Sequence, residues 1–408
     1  MSINILTPTV ARLRKIIAVA LTVIIVSPLR AQFSTAKPDM KEYKLKSQIL
    51  NQERKITIYK PPVLAKYKDA VSPVLYVLDG ELAAYYYCTM VNYLCERIPQ
   101  CPPITVVGIE NEPSPYTTKS GAFDLRGRTK DLTALVAKDS SIYKTSGGAE
   151  NFLQFIKEEV FPFVEKDYQK SPYRVFAGGS LAGWLVLHTF LQHSNMFNGY
   201  IALSPAMHMD KNAYMKIAEE TIRKATERNN RLFFSVGNEP GAYIPNSMKI
   251  DSLLQEKKLK GLSYQFTYYP KEGHATLKPT HDGFYYIFQM EPPEYSFPLS
   301  DLTYAVFEKH CDSLSKIYGY RMKPDEDVIN NYGYIFLNQE KDVDKALEFF
   351  KKNIENYPQS SNVYDSYAEA LLVKGDKKNA LINYEKAFKM DSTNTNARDI
   401  IIKMREEK

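Results

Sequence analysis

Residues 173–190 read YRVFAGGSLAGWLVLHTF. A short apolar strand runs into a cluster of small residues with Ser180 at its tip, and an apolar helix follows. That is the layout G-x-S-x-G, in which a sharp strand-to-helix turn presents a serine that attacks an acyl carbon. Gly178, Ser180 and Ala182 occupy the three marked places, so the last glycine is replaced by alanine. Gly179 and Gly183 add two more small residues, and a methyl at 182 asks only for a slightly wider crossing of strand and helix. The N–H of Leu181, first in the helix, is placed to bind an oxyanion. Taken alone, the string fits a glycine-rich N-cap turn as well as it fits a nucleophile elbow.

A serine nucleophile needs a base and an acid to orient it, and on this kind of elbow they follow in the order serine, acid, histidine. Downstream, "LFFSVGNEP" carries Glu239 just past a strand, and "YQFTYYPKEGHAT" carries His274 in a glycine-flanked loop after another. His274 is the candidate base and Glu239 the candidate acid. Asp210 and Asp251 are rival acids, and a Ser–His dyad needs no acid. The chain has six histidines; His188 and His193 read as packing or surface positions, and His208 borders the expected pocket. A second oxyanion donor is expected from "VLYVLDGELAAYY", where Gly80 permits a tight turn and the N–H of Glu81 or Leu82 is the candidate. A plain Asp-Gly turn fits the same residues. Trp184, the single tryptophan, and some of the 30 tyrosines are expected to line the pocket and would suit an aromatic acid.

The elements that must hold these residues are legible as alternation. Strands are expected at 55–59, 74–78, 104–109, 175–177, 199–203, 232–236 and 264–269, several of them continuous apolar runs such as "VLYVL" and "ITVVGI". Such runs suit strands buried on both faces. Helices are expected at 84–95, 151–165, 181–192, 210–226 and 248–258. The fold class is therefore α/β, a mostly parallel central sheet with helices on both faces, and ligands bind at the carboxyl ends of its strands. From about residue 324 the strand signal ends. "KALEFFKKNIENYP" aligns with "NALINYEKAFKMDS" at a spacing of 34 residues, pairing Ala346 with Ala380 and Phe350 with Tyr384. That period marks tetratricopeptide-like helical hairpins, here about two plus a final helix. The expected organisation is a signal peptide over 1–31, the α/β domain over 40–291, a linker and connecting helix over 292–322, and helical repeats over 323–408. Two repeats are too few to bury a core alone, so they are expected to lean on the 299–318 helix or on the α/β domain.

The ordered blocks "PVLYVLDGE", "ITVVGIEN…RTKDLT", "ENFLQFIKEEVFPFVEKDY", "YRVFAGGSLAGWLVLHTFLQHSNMFNGYIALSPAM", "RLFFSVGNEP" and "YYPKEGHATLKP" resemble the "Putative esterase" branch of the α/β-hydrolases over residues 45–290. That branch includes enterochelin (siderophore) esterases and esterase D. The resemblance implies Ser180 as nucleophile, His274 as base and Glu239 in the acid place. It also implies an arginine near the active site just before "DLT". Arg128 takes that place for substrate binding, with Arg126 a neighbour that fits almost as well and a structural salt bridge an equal reading for either. Ala182 departs from the glycine usual in the family.

The net charge of +6 belongs mostly to the N-terminus. Residues 1–31 hold Arg12, Arg14, Lys15 and Arg30 and no acidic residue, so the remainder carries about +2, which argues against a nucleic-acid partner. The basic stretch, the apolar run 16–26 and Ala31 before Gln32 form a secretory signal pattern, too short to span a bilayer comfortably, so export to the periplasm or beyond and no stable membrane insertion after cleavage are expected, with an uncleaved N-terminal anchor as the alternative. Cys88, Cys95, Cys101 and Cys311 show no metal-binding spacing, and no metal or cofactor is expected. Cys95 and Cys101 can pair in an oxidising compartment, while Cys88 and Cys95 can equally share a buried helix face. The function expected is an exported serine esterase acting on a small-molecule or glycan-linked ester, of siderophore, aromatic or acetyl type, with the repeats as a docking or self-association surface. The alternatives are a non-catalytic scaffold whose repeats hold a protein partner, and an acyltransferase on the same three residues.

Overall fold

The apolar runs of the sequence become the middle of one sheet. The computed structural model describes residues 38–62, 64, 71–97, 102–112, 126–136, 145–167, 172–289 and 298–406. The expected signal segment over 1–31, residues 113–125 and Cys101 lie outside the described residues. The strands are β1 (Met40–Ser47), β2 (Gln52–Tyr59), β3 (Val74–Leu78), β4 (Thr105–Ile109), β5 (Arg174–Gly179), β6 (Gly199–Leu203), β7 (Arg231–Gly237) and β8 (Ser263–Tyr269). Their order is β1-β2-β4-β3-β5-β6-β7-β8. The first two pair antiparallel and β2 meets β4 antiparallel; the rest are parallel. Every residue of β3, β4 and β6 is buried, as apolar strands covered on both faces require.

β1 was not among the expected strands. Its sequence MKEYKLKS mixes charged with apolar residues and sits at the sheet edge with its charged side chains exposed, where lysines discourage further strand pairing.

Alternation along the strands divides the core in two. Tyr76, Phe176, Tyr200, Leu232 and Phe234 face one layer. It is covered by α3 (Ala149–Phe155) and α4 (Phe161–Asp167), joined through a π turn, with α5 (Leu181–Gln192), α6 (Met209–Lys224) and α7 (Tyr243–Lys257). Leu75, Val77, Val175, Ala177, Ile201 and Phe233 face the other, covered by α1 (Gly80–Val91) and α8 (Leu277–Phe288). A short helix, α2 (Arg126–Leu132), precedes α3. Neither α2 nor α8 was expected. α8 contains Pro279 and Gly283, which read as breakers. In place, Pro279 occupies the first turn, where its missing N–H costs nothing, and Gly283 lets the helix approach Phe233, whose ring a Cβ would meet at 2.7 Å.

The C-terminal helices are α9 (Tyr304–Tyr318), α10 (Glu326–Ile335), α11 (Val343–Asn356), α12 (Ser361–Lys374), α13 (Lys377–Met390) and α14 (Thr395–Glu406). The 34-residue period returns in their caps. Asp342 accepts from Lys345 N and Asp376 from Asn379 N, starting α11 and α13 alike. Gly333 allows the α10–α11 crossing, where a Cβ would meet the Phe350 ring at 2.4 Å. α9 is more than a connector. Its Tyr304 and Phe307 pack on Phe349 of α11. Its Leu314 and Tyr318 are buried in the core of the sheet, where Tyr318 Oη donates to Phe288 O at 2.7 Å and its ring meets Tyr173 edge-on.

The expected boundary at 291/292 therefore cuts through a core. Losing Leu314 and Tyr318 exposes apolar surface worth on the order of 4 kcal/mol. A chain ending at residue 291 is expected to melt well below one ending at residue 322, and calorimetry of the two truncations checks this.

Candidate active site

The tight turn after β5 forces Ser180 to φ 62°, ψ −121°, a conformation that costs a non-glycine residue about 1–3 kcal/mol and persists only where its surroundings hold it. Three backbone bonds do so. Ser180 N donates to Leu203 O at 2.9 Å, and Ser180 O accepts from Trp184 N at 2.9 Å and Ala206 N at 3.1 Å. The crossing beneath it relies on two glycines. A Cβ at 178 would stand 2.7 Å from the Ala182 methyl, and one at 183 would stand 2.6 Å from Leu203 O. Ala182 thus fills room that Gly178 leaves, and the helix still begins at Leu181.

Glu239 follows β7 and is buried. Its Oε2 is bonded to His274 Nδ1. Its Oε1 accepts from Ser204 Oγ at 2.5 Å and from Gly237 N at 3.0 Å. A carboxylate acceptor at Nδ1 fixes the tautomer with the proton on Nδ1, leaving Nε2 as the basic nitrogen. Ser204 was not singled out from the sequence. It stands at the end of β6 with φ 45°, and its hydroxyl also accepts from Ala275 N at 3.2 Å, so it ties the acid to the histidine loop. Gly237 allows the two loops to touch: a Cβ there would meet Gly273 O at 2.1 Å. Ala275 in turn reaches the serine turn, since a Cβ at Gly179 would be 3.0 Å from the Ala275 methyl. Ser180, Glu239 and His274 thus gather at the carboxyl ends of β5, β7 and β8.

Of the rival acids, Asp251 lies along α7, bonded to Tyr264 and Gln255. The side chain of Asp210 lies outside the described residues. His208 does border the site. Its ring packs on Tyr243, which meets the His274 ring edge-on at 5.3 Å. Burial holds the His208 imidazole below its ordinary pKa against the pull of Glu239, with His274 adding to the lowering.

The loop after β3 neighbours the serine turn, because β3 and β5 are paired. Asp79, at φ 51°, heads α1, and Arg128 clamps its carboxylate with Nε at 2.7 Å and Nη2 at 2.8 Å. The same Nη2 lies 3.4 Å from Gly179 O. Burial works against the Arg128 charge, but bonding to Asp79 outweighs it and raises the pKa above its ordinary value. Arg128 is thus a strut between the two loops, the salt-bridge reading of this residue. A second pair, Arg54 to Asp131, fully buried at 2.5 Å, anchors α2, the helix that carries Arg128, to β2. Asn111, missed in the sequence, donates to Asp79 Oδ1 and Glu81 Oε1, both at 2.7 Å. The N–H groups of Glu81 and Leu181 belong to the first turns of α1 and α5, which leave such groups without helical partners.

Two expected pocket residues are placed elsewhere. Trp184 has no exposed surface and packs edge-on to Tyr214 inside the core. It sits on the inward face of α5, and an apolar residue four positions past the serine points into that layer. Gly80 is buried against β4, where a Cβ would meet Gly108 C and Ile109 N at 2.7 Å; its smallness serves packing, not substrate. Tyr243 is the aromatic residue that meets the His274 ring, and Leu82 and Leu277, in the first turns of α1 and α8, are exposed. Of the cysteines, Cys88 and Cys311 are buried free thiols, and the pairing of Cys95 with Cys101 falls outside the described residues.

The "Putative esterase" family model matches residues 47–291, more than half of the chain, and the chain belongs to this family. It is 27% identical over 231 residues to "Ferri-bacillibactin esterase BesA" of Bacillus subtilis, covering 54% of this chain and 77% of that one. It is 28% identical over 229 residues to "Apo-salmochelin esterase" of Escherichia coli, covering 50% of this chain and 65% of that relative's length. A solved structure of an IroE-like serine hydrolase from Shewanella oneidensis superposes with a TM-score of 0.65 at 22% identity, covering 78% of this chain and all of that one. The fold is that of the α/β-hydrolases. No helix among the described residues is long and apolar enough to cross a membrane.

Ser204→Ala removes one hydrogen bond from the buried Glu239 and one from the His274 loop. Hydrogen bonds to charged groups are worth about 1.5–3 kcal/mol, so kcat/KM on a chromogenic ester is expected to fall roughly 10- to 100-fold, with KM little changed.

Proposed function

We propose that this member of the esterase family is an exported serine hydrolase that cleaves a carboxylic ester through an acyl-enzyme on Ser180. The observation that carries the reading is the junction of a strained Ser180 at a helix start with a histidine whose Nδ1 is bonded to a buried carboxylate. His274 Nε2 takes the proton of Ser180 Oγ as the oxygen attacks the ester carbonyl. The tetrahedral oxyanion is received by the N–H groups of Leu181 and Glu81 at two helix N-termini. His274 then passes its proton to the leaving alkoxide, the C–O bond breaks, and the acyl group stays on Ser180. A water gives its proton to His274 and attacks the acyl carbon, which releases the acid and restores the serine. Glu239 keeps the ring oriented and stabilises the imidazolium between these transfers. No step needs a metal or cofactor.

The substrate class we propose is a siderophore ester, a lactone of hydroxy acids bearing aromatic acyl groups. The two relatives named above are esterases of bacillibactin and salmochelin type, which supports it. So does Tyr243, whose ring stands edge-on to His274 and offers aromatic surface on which such rings can rest. Residues 1–31 are proposed as the export signal, and the C-terminal hairpins as tetratricopeptide-like repeats appended to the esterase domain.

A fluorophosphonate probe tests the nucleophile. The parent chain is expected to be labelled once, Ser180→Ala not at all, and His274→Ala far more slowly. Labelling that persists in Ser180→Ala overturns the assignment. With a catecholate trilactone as substrate, Ser180→Ala is expected to lose at least about 10⁴-fold in kcat, followed by chromatography of the released hydroxy-acid units.

A further inference from the structure

Away from the serine, Glu150, His188 and His193 bring three ligand atoms within 4.8 Å of one another. The two histidines were expected to be packing or surface positions, and no sequence spacing links them to Glu150. The fold makes the trio. Glu150 stands in the first turn of α3, His188 on the last turns of α5, and His193 caps that helix. His188 Nε2 lies 2.9 Å from Glu150 Oε1, and His193 Nε2 lies 3.0 Å from Glu150 Oε2. We infer that these three residues form a binding site for a divalent transition-metal cation of the zinc type, with one coordination position left open to solvent.

Four observations carry this. The donor set is two imidazoles and one carboxylate, which suits zinc and its neighbours and fills three of four tetrahedral positions. His188 is buried, and its other nitrogen, Nδ1, lies 3.1 Å from the hydroxyl of Tyr214, itself fully buried. A metal-binding histidine characteristically has its remote nitrogen held by such a partner. With Nδ1–H donating to Tyr214 Oη, the Nε2 lone pair is free for the metal, a tautomer shift that needs no net proton loss from the ring. The backbone of His193 is pinned, since its N donates to Thr189 O at 2.8 Å and its O accepts from Met196 N at 3.0 Å. The glutamate is the accessible member: its side chain is 62% exposed, so a cation reaches it directly from water. Tetrahedral zinc ligands stand about 3.4 Å apart at bond lengths of about 2.1 Å. Small rotations of His193 and Glu150 therefore close the site around the ion.

The site is remote from the proposed chemistry. His188 is eight residues past Ser180 on α5, about 12 Å down the helix. A cation there joins the start of α3 to the end of α5, and through Tyr214 to α6. Its effect is on the stability of the helical layer, because an ion that binds only the folded chain raises stability by mass action.

The experiment uses tag-free full-length protein stripped with chelator, with zinc alone as the probe. Calorimetric titration is expected to give one saturable zinc per chain, and saturating zinc to raise Tm by about 4 °C or more. His193→Gln and Glu150→Gln change a half-buried and an exposed side chain and should fold; each is expected to weaken zinc binding at least about tenfold and to abolish the Tm rise, with ester hydrolysis unchanged. Absence of saturable binding, unchanged affinity in both variants, or binding lost instead in His281→Gln or His310→Gln overturns the site.

Discussion

The Glu239 carboxylate is buried, and the groups that replace its water come from three separate strand ends. Ser204 at the end of β6 and the Gly237 N–H of β7 hold one oxygen, and His274 beyond β8 holds the other. A buried carboxylate left short of such partners costs several kcal/mol. The packing must therefore bring these loops together for the fold to be stable at all. The serine turn is drawn into the same frame, because Ser180 N is bonded to Leu203, the last residue of β6. The glycine at 237 and the φ of Ser204 both serve this junction: the one lets the loops touch, and the other belongs to the residue whose hydroxyl lies between the carboxylate and Ala275 N.

Much of this was legible from residue order. Apolar runs bounded by glycine mark buried strands, and a serine, an acid and a histidine each falling just past a strand specify which edge of the sheet they share. The parts that were not legible share a physical cause. Ser204 and Asn111 act through hydrogen bonds to residues 35 or more positions away or to a loop on another strand, and nothing in their local sequence distinguishes them from any polar residue after a strand. Trp184 and Gly80 lie in stretches that read as chemistry but face inward; the helical period decides that, and only once the helix is docked is the inward side known. β1 and α8 were missed because charge and proline masked them, and tertiary placement overrode local propensity. The Glu150, His188 and His193 trio was hidden for the same reason: its members share no sequence window.

The helical extension illustrates how a boundary read from composition differs from one set by packing. The α/β domain was expected to end at residue 291, yet Leu314 and Tyr318 are core residues of the sheet, and Tyr304 and Phe307 of the same helix belong to a core formed with the C-terminal helices. One amphipathic helix serves two cores, so the helices that follow it need not bury all their apolar surface among themselves.

The contact between Tyr318 and Tyr173 has a geometric consequence. Tyr173 immediately precedes β5, and Ser180 immediately follows it. A strand of that length separates the two by about 20 Å. The extension is therefore fastened at the amino end of the strand whose carboxyl end presents the serine.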